Sequence, residues 1–278
     1  MNKLKPLKRF GQNYLRDSNI VRKILKEIDP RPEDLIIEIG SGYGALTGSL
    51  FQNSPNITAV EIDKRAASFL SKKFPGLNIL NEDFLRLDLG KIYTERTGPL
   101  SKGNRILRIA GNIPYNITSP VLFKMILNNN LIRDSVLMVQ YEVAKRITSK
   151  KGSKDYGILA VLLNFFSDVK FCFKVSPNVF FPKPDVFSAV IHLYFKEINM
   201  SSGDKEIFIN LVKAAFGNRR KTIKNSLSNS IFADIDFSDS GIDLSLRSEQ
   251  LGIDSFLKLA EFAKRKEVKN IVGGSLYE

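Results

Sequence analysis

The sequence of 278 residues contains a single cysteine, Cys172, and a single histidine, His192. One cysteine cannot form an internal disulfide, and the two residues together offer no ligand set for a structural zinc ion or an iron–sulfur cluster. The same scarcity excludes Cys/His proteases, zinc deaminases and radical enzymes that need three cysteines. We therefore expect a protein without a metal.

Long apolar runs are missing as well. The longest, residues 158–166, is interrupted by Asn164 and is far shorter than the roughly 18 to 20 residues of a membrane span. No apolar segment follows the charged N-terminus, as a secretion signal would require. We expect a cytoplasmic protein with no membrane partner. With 43% hydrophobic residues, the chain can fold into one domain of about 200 residues and a smaller one.

The positive charge is concentrated in three segments, although the net charge of the whole chain is only +13. Residues 1–26 carry eight Lys or Arg side chains against one acid, and residues 145–154 and 207–230 carry five each with no acid. Such blocks favour a polyanionic partner, above all nucleic acid, although each could also be a solvated face. The candidate RNA-binding residues are Lys150, Lys151, Arg219, Arg220, Lys221 and Lys224.

Hydrophobic periodicity predicts an α/β fold. A helix is expected from the N-cap at Asp17 to Ile28, because apolar residues recur there at helical spacing. Short aliphatic segments then alternate with helical ones, which is typical of a mostly parallel, doubly wound sheet. These predicted strands are residues 35–39, 57–62, 77–80, 105–110 and 135–139.

Two further strands, residues 170–175 and 188–195, are predicted to pair as an antiparallel hairpin at the edge of the sheet. A proline-rich loop separates them, and a helix cannot cross it. Another helix is expected from about Tyr156 to Phe166. Residues 199–203 resemble a linker, and the remainder is helix-patterned. We expect two domains, residues 1–198 and a small all-helical domain of residues 204–278.

A glycine-rich turn follows the first predicted strand of the sheet. Gly40, Gly42 and Gly44 occupy alternate positions, so the backbone can turn sharply and a ligand can lie against it. Glu61 ends the next strand, where its carboxylate can accept both hydroxyls of a ribose. After the third strand, Asp83 can accept from an adenine amine and Phe84 can flank the ring.

These residues predict a site for an adenosine cofactor, either a nicotinamide dinucleotide or S-adenosylmethionine. The glycine spacing differs from the dinucleotide pattern G-x-G-x-x-G and favours a cofactor without a pyrophosphate. A tight turn with no ligand is the structural alternative.

The fourth strand leads into Asn112-Ile113-Pro114-Tyr115. An exocyclic base amine is a poor nucleophile until acceptors bind its hydrogens, and the Asn112 side-chain oxygen and a backbone carbonyl can supply two of them. Pro114 stiffens the turn, and Tyr115 offers a ring on which an extruded base can stack. This predicts an amine-binding loop, with an Asn-capped turn and a buried tyrosine as the alternative.

Several segments together resemble the rRNA adenine N6-dimethyltransferases, and in particular their small-subunit (16S) branch. The resemblance covers nearly the whole chain. Its segments are residues 8–15, 38–47, 61–63, 111–117, 180–190, 215–222 and 247–251. It implies a Rossmann-like class I S-adenosylmethionine-dependent methyltransferase domain followed by a helical RNA-binding domain.

The resemblance also implies roles for individual residues. Asn13 and Leu15 would close over the methionine half of the cofactor, and Asn112 would contact both the cofactor and the target base. Gly40, Glu61 and Asp83 would hold the cofactor. Phe180 falls at the second base-stacking position, whereas the adjacent Phe181 stands where the family varies.

The implied substrate is a pair of neighbouring adenosines in a hairpin loop near the 3′ end of small-subunit rRNA, within a pre-30S particle. A monomeric enzyme would transfer four methyl groups from four S-adenosylmethionine molecules to these adenosines. Two alternatives keep the chemistry: a macrolide-resistance type enzyme for large-subunit rRNA, and a DNA amino-methyltransferase. A third is a ribosome-assembly factor with vestigial methyl transfer. A nicotinamide oxidoreductase lacks a proton donor near the loop.

Overall fold

The computed structural model describes residues 6–97 and 106–266. Its strands are β1 (Tyr14–Leu15), β2 (Leu35–Ile39), β3 (Ile57–Val60), β4 (Asn78–Leu80), β5 (Leu107–Asn112), β6 (Ile132–Gln140), β7 (Ser167–Val175), β8 (Phe180–Phe181) and β9 (Ser188–Phe195). Its α-helices are α1 (Ser18–Ile28), α2 (Thr47–Asn53), α3 (Lys64–Lys73), α4 (Leu89–Thr97), α5 (Thr118–Leu127), α6 (Tyr141–Ile147), α7 (Ile158–Phe166), α8 (Ser202–Phe216), α9 (Ile223–Leu227) and α10 (Ile253–Arg265).

Seven strands form one sheet in the order β4-β3-β2-β5-β6-β9-β7. The first five are parallel, and β9 pairs antiparallel with both β6 and β7. This arrangement confirms the predicted mostly parallel sheet with an antiparallel edge. The strand order reverses between β2 and β5, and ligands of such sheets bind at the carboxyl ends of the strands beside that reversal.

Local sequence explains the elements next to this crevice. The Asp17 carboxylate caps α1 by accepting from the backbone N–H groups of Asn19 and Ile20, and Ile24 and Ile28 are buried below. All five residues of β2 are buried, as expected for a strand with helices on both faces.

A buried ion network joins β5 and β6 near their amino ends, away from the carboxyl ends at which the crevice lies. The Arg108 guanidinium binds both oxygens of Asp134 and one oxygen of Asp34, each at 2.7 Å. His192 Nε2 lies 3.2 Å from Asp134, and its Nδ1 lies 2.8 Å from Glu27. His192 is therefore a strand residue within a structural ion network.

The chain separates into two compact units. The first comprises the described residues up to Ala144 together with Ser167–Lys196, and the second comprises Lys145–Phe166 together with the described residues from Glu197 onward. In the structure, α7 therefore groups with the C-terminal helices, whereas the predicted boundary near residue 200 assigned it to the first domain. Across residues 6–97 and 106–266, no helix has the length and apolar character that a membrane crossing needs.

Candidate active site

A cavity of about 330 Å³ opens at the carboxyl ends of β2, β3 and β5, within the first unit. Five stretches of chain line it: residues 9–15, residues 38–43 with 45–46, residues 60–62, residues 82–84 and residues 112–117. These stretches are distant in sequence and meet because parallel strands end at the same edge of the sheet. All of the predicted catalytic and cofactor residues lie in this lining except Phe180.

The glycine turn has the backbone conformation that glycine permits. Gly40 and Gly42 have φ angles of +68° and +52°, a region that other residues enter at a cost. A Cβ atom on Gly42 would lie 3.0 Å from ring carbons of Tyr14. The turn therefore needs glycine for both its conformation and its contact with the N-terminal arm, residues 6–16.

Glu61 lies directly after β3 with a buried carboxylate. One oxygen accepts from the backbone N–H of Gly42 at 2.8 Å, and the other accepts from the N–H of Asp63 at 2.9 Å. Burial raises the pKa of the Glu61 carboxyl, although these two backbone hydrogen bonds oppose the rise. Glu61 thus connects the glycine turn to the end of the neighbouring strand.

Asp83 and Phe84 form the next part of the wall. Asp83 caps a short 3-10 turn, since its Oδ1 accepts from the backbone N–H of Leu85 at 2.9 Å. The Phe84 ring is buried beside it. An acceptor and an apolar ring therefore lie together in the cavity wall, and their role in binding an adenine stays a prediction.

The predicted catalytic loop begins at the last residue of β5. The Asn112 amide nitrogen donates to the backbone carbonyl of Asn13 at 2.8 Å, which leaves the amide oxygen as an acceptor. The backbone N–H of Ile113 donates to the Met138 carbonyl at 3.0 Å and fixes the loop to β6.

Tyr115 follows Pro114 in a 3-10 turn. Its hydroxyl lies 2.7 Å from the hydroxyl of Ser188, the first residue of β9. Burial raises the pKa of Tyr115 above its ordinary value, so the phenol stays protonated near neutral pH. The ring therefore has a fixed position in the cavity wall.

The N-terminal arm closes one side of the cavity. Its strand β1 pairs antiparallel with β8, with Tyr14 opposite Phe181 and Leu15 opposite Phe180. The Gln12 amide donates to Asp63 at 3.1 Å. These contacts hold the arm against β8, with which it forms a separate two-stranded sheet, and against the segment that follows β3.

Two arm residues were missed as site residues at the sequence level. Gln12 makes the contact to Asp63, and Tyr14 packs on Tyr43 with ring centroids 4.3 Å apart. The Tyr14 hydroxyl is buried without a hydrogen-bond partner in the described part of the chain. Both residues lie in segment 8–15, which carries the family resemblance and could have identified them as site residues.

Phe180 lies outside the lining. It is 5% exposed and belongs to the apolar core, whereas Phe181 is 42% exposed with the Arg16 guanidinium 3.8 Å from its ring centroid. The reason is the alternation of side chains along β8, which sends consecutive residues to opposite faces. The assignment of Phe180 as a stacking residue is not supported by its position here.

The second unit carries the other predicted residues. The candidate RNA-binding side chains, all exposed, are Lys150, Lys151, Arg219, Arg220, Lys221 and Lys224. Arg219 donates to the carbonyls of Lys154 and Tyr156 at 2.7 and 3.0 Å. The two basic segments of this unit therefore lie next to each other, and Arg219 also has a structural role.

No cluster of three or more His, Cys, Asp or Glu side chains suited to a metal ion occurs in residues 6–97 and 106–266.

Residues 3–265 match the family described as Ribosomal RNA adenine dimethylase. The chain is 44% identical to Ribosomal RNA small subunit methyltransferase A of Chlorobium phaeobacteroides (strain DSM 266) over 91% of this chain and 90% of that protein. It is 38% identical to the protein of the same name from Francisella tularensis subsp. novicida, over 94% of this chain and 98% of that protein.

Two solved structures share the architecture. A dimethyladenosine transferase from Plasmodium falciparum aligns with a TM-score of 0.73 and 24% identity, over 91% of this chain and 98% of that one. The 23S rRNA methyltransferase ErmE aligns with a TM-score of 0.62 and 26% identity, over 91% of this chain and the whole of that one. The similarity to the Plasmodium falciparum structure is evidence for the fold alone.

Proposed function

The chain belongs to the ribosomal RNA adenine dimethylase family, and we propose that it dimethylates N6 of two adjacent adenosines near the 3′ end of small-subunit rRNA. Its relatives that carry the name small subunit methyltransferase support this substrate. The observation that carries the proposal is the position of Asn112, which lies in the cavity wall with its amide nitrogen bound by Asn13.

S-adenosylmethionine is the methyl donor that the family implies, and the cavity suits it. Glu61 is a buried carboxylate at the glycine turn, where it can accept from ribose hydroxyls. Asp83 and Phe84 offer an acceptor and a ring for the adenine. Asn13 and Leu15 also line the cavity, and the methionine half would lie against them. When bound, this cofactor supplies an electrophilic methyl group on a positively charged sulfur.

The proposed role of Asn112 is to accept a hydrogen bond from the adenine N6 amine through its free amide oxygen. A second acceptor is a backbone carbonyl of the loop. The Pro114 carbonyl already accepts from the backbone N–H of Ile117 at 3.1 Å and from the hydroxyl of Thr118 at 3.4 Å. We therefore propose the backbone carbonyl of Ile113 as the second acceptor for the adenine N6 amine. Two acceptors would align the nitrogen lone pair with the methyl group, so that catalysis rests on alignment and electrostatics.

Tyr115 is the proposed stacking surface for the flipped base, and its bond to Ser188 prevents the ring from turning away. Pro114 limits the motion of the loop. The second stacking position stays a prediction for Phe180, which has to leave the apolar core to reach a base.

The exposed basic residues of the second unit are the proposed contacts to RNA outside the cavity. Their charge suits a long phosphate backbone, and the two segments lie side by side through Arg219. The boundaries 1–198 and 204–278, a monomeric state, a cytoplasmic location and action on a pre-30S particle stay predictions.

Methyl incorporation tests the proposal. Labelled S-adenosylmethionine and the protein are incubated with isolated small-subunit particles that lack the modification and, separately, with large-subunit particles. We expect label in the small-subunit RNA. Label confined to the large-subunit RNA would support the macrolide-resistance alternative, and cofactor binding without turnover would support an assembly factor.

A further inference from the structure

A cluster of aromatic and basic side chains lies outside the lining of the cavity. The ammonium nitrogen of Lys174 is 4.4 Å from the ring centroid of Tyr141 and 3.9 Å from that of Phe187. We call these three residues the Lys174 cluster. Tyr141 also packs edge-on against Phe171, with centroids 6.2 Å apart.

Strand pairing explains why these side chains meet. The backbone N–H of Tyr141 donates to the Phe187 carbonyl at 2.9 Å, which extends the pairing of β6 and β9 by one residue. Lys174 lies opposite Ala189 on the other neighbour of β9. Side chains alternate along a strand, so Phe187 and Ala189 share one face and Lys174 joins them there.

The cluster is exposed although it is largely aromatic. Phe187 is 46% exposed, and Phe171, which packs on Tyr141 at the border of the cluster, is 40% exposed. Among the described residues, the charged group of Lys174 contacts aromatic rings and no carboxylate. Exposed rings next to a cation without an anionic partner are the features that bind single-stranded nucleic acid, by stacking and by phosphate contact.

The cluster is connected to the catalytic loop through Ser188. Phe187 directly precedes Ser188, whose hydroxyl is bonded to the Tyr115 hydroxyl, so the backbone at Phe187 lies near the loop although its ring is on the opposite face of the sheet from the Ser188 side chain. A similar pair, Arg16 on Phe181, occurs at the other end of the loop that joins β8 to β9. A nucleotide next to the one in the cavity would therefore have a ring and a cation available at the end of β9 that carries Ser188.

We propose that the Lys174 cluster binds the nucleotide adjacent to the adenosine in the cavity, with Phe187 stacking on its base and Lys174 contacting its phosphate. This inference rests on the proposed function, because a substrate with two adjacent target adenosines needs a place for one while the other reacts. The cluster provides that place on the rigid edge of the sheet, and its role is to position RNA.

A hairpin RNA with 2-aminopurine in place of one of the two adenosines tests the proposal. This base lacks an N6 amine, so the remaining adenosine is the one that enters the cavity. The variants are Phe187→Leu, which keeps apolar packing and removes the ring, and Lys174→Met. The matched controls are Tyr194→Leu, which is 42% exposed at the far end of β9, and Lys72→Met on α3.

We expect Phe187→Leu to weaken RNA binding by about 5-fold or more and to leave the 2-aminopurine brighter in the complex than it is with the wild-type protein. Lys174→Met should lower the slope of log affinity against log salt by about 0.7. Both controls should match the wild type. Affinity for S-adenosylhomocysteine, measured by calorimetry, should be unchanged in all four variants.

Equal fluorescence and affinity for Phe187→Leu and Tyr194→Leu, in a preparation whose wild-type protein methylates the unmodified hairpin, would overturn the inference and leave the proposed function intact. A wild-type protein that transfers no methyl group to any ribosomal RNA would overturn both. Reduced S-adenosylhomocysteine binding in Phe187→Leu would also overturn the inference, because it would show that the substitution disturbs the cavity itself.

Discussion

The side-chain amide of Asn112 is tied to the backbone carbonyl of Asn13 by a 2.8 Å hydrogen bond. This bond joins the catalytic loop to the N-terminal arm across 99 positions of sequence. Because the nitrogen is occupied, the amide oxygen is the group that remains for the substrate amine. The position of the arm therefore sets the orientation of the residue on which the proposed chemistry depends.

Replacement of Asn112 by Ala should lower the rate of methyl transfer by about 100-fold or more, the usual effect of removing one preorganised polar group at a reacting atom. RNA affinity should stay nearly unchanged, since the amide contributes little to the long phosphate interface. Single-turnover transfer and filter binding measure the two effects separately. Asn56→Ala, exposed at the opposite edge of the sheet, is the matched control. Equal decreases in rate and RNA affinity would argue against an amine-binding role.

Replacement of Glu61 by Gln should weaken binding of S-adenosylhomocysteine by about 10- to 100-fold, because charged acceptors form the stronger hydrogen bonds. Glutamine also turns an N–H group toward one of the two backbone N–H donors that the carboxylate now satisfies. Calorimetry measures this change, with Glu95→Gln on α4 as the control. If the Gln variant bound S-adenosylhomocysteine as tightly as the wild type does, Glu61 would not be a cofactor-binding residue.

The double substitution Arg220→Ala and Lys221→Ala should weaken RNA binding and reduce its salt slope by about 0.7 to 0.9 for each phosphate that is no longer neutralised. Arg219 is left in place because it also holds the segment at Lys154 and Tyr156. Lys258→Ala, which removes one positive charge at an exposed position on α10, shows the effect of losing a charge outside the segment. An unchanged slope would exclude this segment from the interface.

Stability should depend on pH through Glu38, at which burial raises the pKa to about 7. The unfolded chain releases this proton near pH 4.5, so the folded state favours the protonated form. The contribution of Glu38 to stability is therefore complete below pH 4.5 and is lost as the pH rises through 7. Glutamine imitates the protonated carboxyl at every pH.

Relative to the wild type, Glu38→Gln should gain stability between pH 5 and pH 8, on the order of 2 kcal/mol. Urea unfolding at the two pH values measures the gain. Glu33→Gln, at an exposed position just before β2, should show no such change. A gain that is the same at pH 5 and pH 8 would show that Glu38 does not titrate in this range.

The sequence predicted those parts of the fold that local patterns determine. Strands β2 and β9 and helix α1 begin and end at the predicted residues, because each has a clear period and a cap or turn at its ends. The glycine turn, Glu61 and Asn112 were predicted together because parallel strands deliver their following residues to one edge.

Other features depend on contacts between distant segments, which periodicity does not report. Strands β1 and β8 have two residues each, too few for a pattern, and their pairing decides that Phe180 is covered and Phe181 is exposed. The association of α7 with the C-terminal helices likewise depends on tertiary contacts. The meeting of Tyr141, Lys174 and Phe187 requires three strands in register.

The most direct measurement is mass mapping of modified nucleosides in small-subunit RNA that has been incubated with the protein and labelled S-adenosylmethionine. The account predicts two adjacent N6,N6-dimethyladenosines near the 3′ end, with four labelled methyl groups per RNA, and neither nucleoside when the protein carries Asn112→Ala. An unmodified 3′ region, or the same modification with the Asn112→Ala protein, would contradict it.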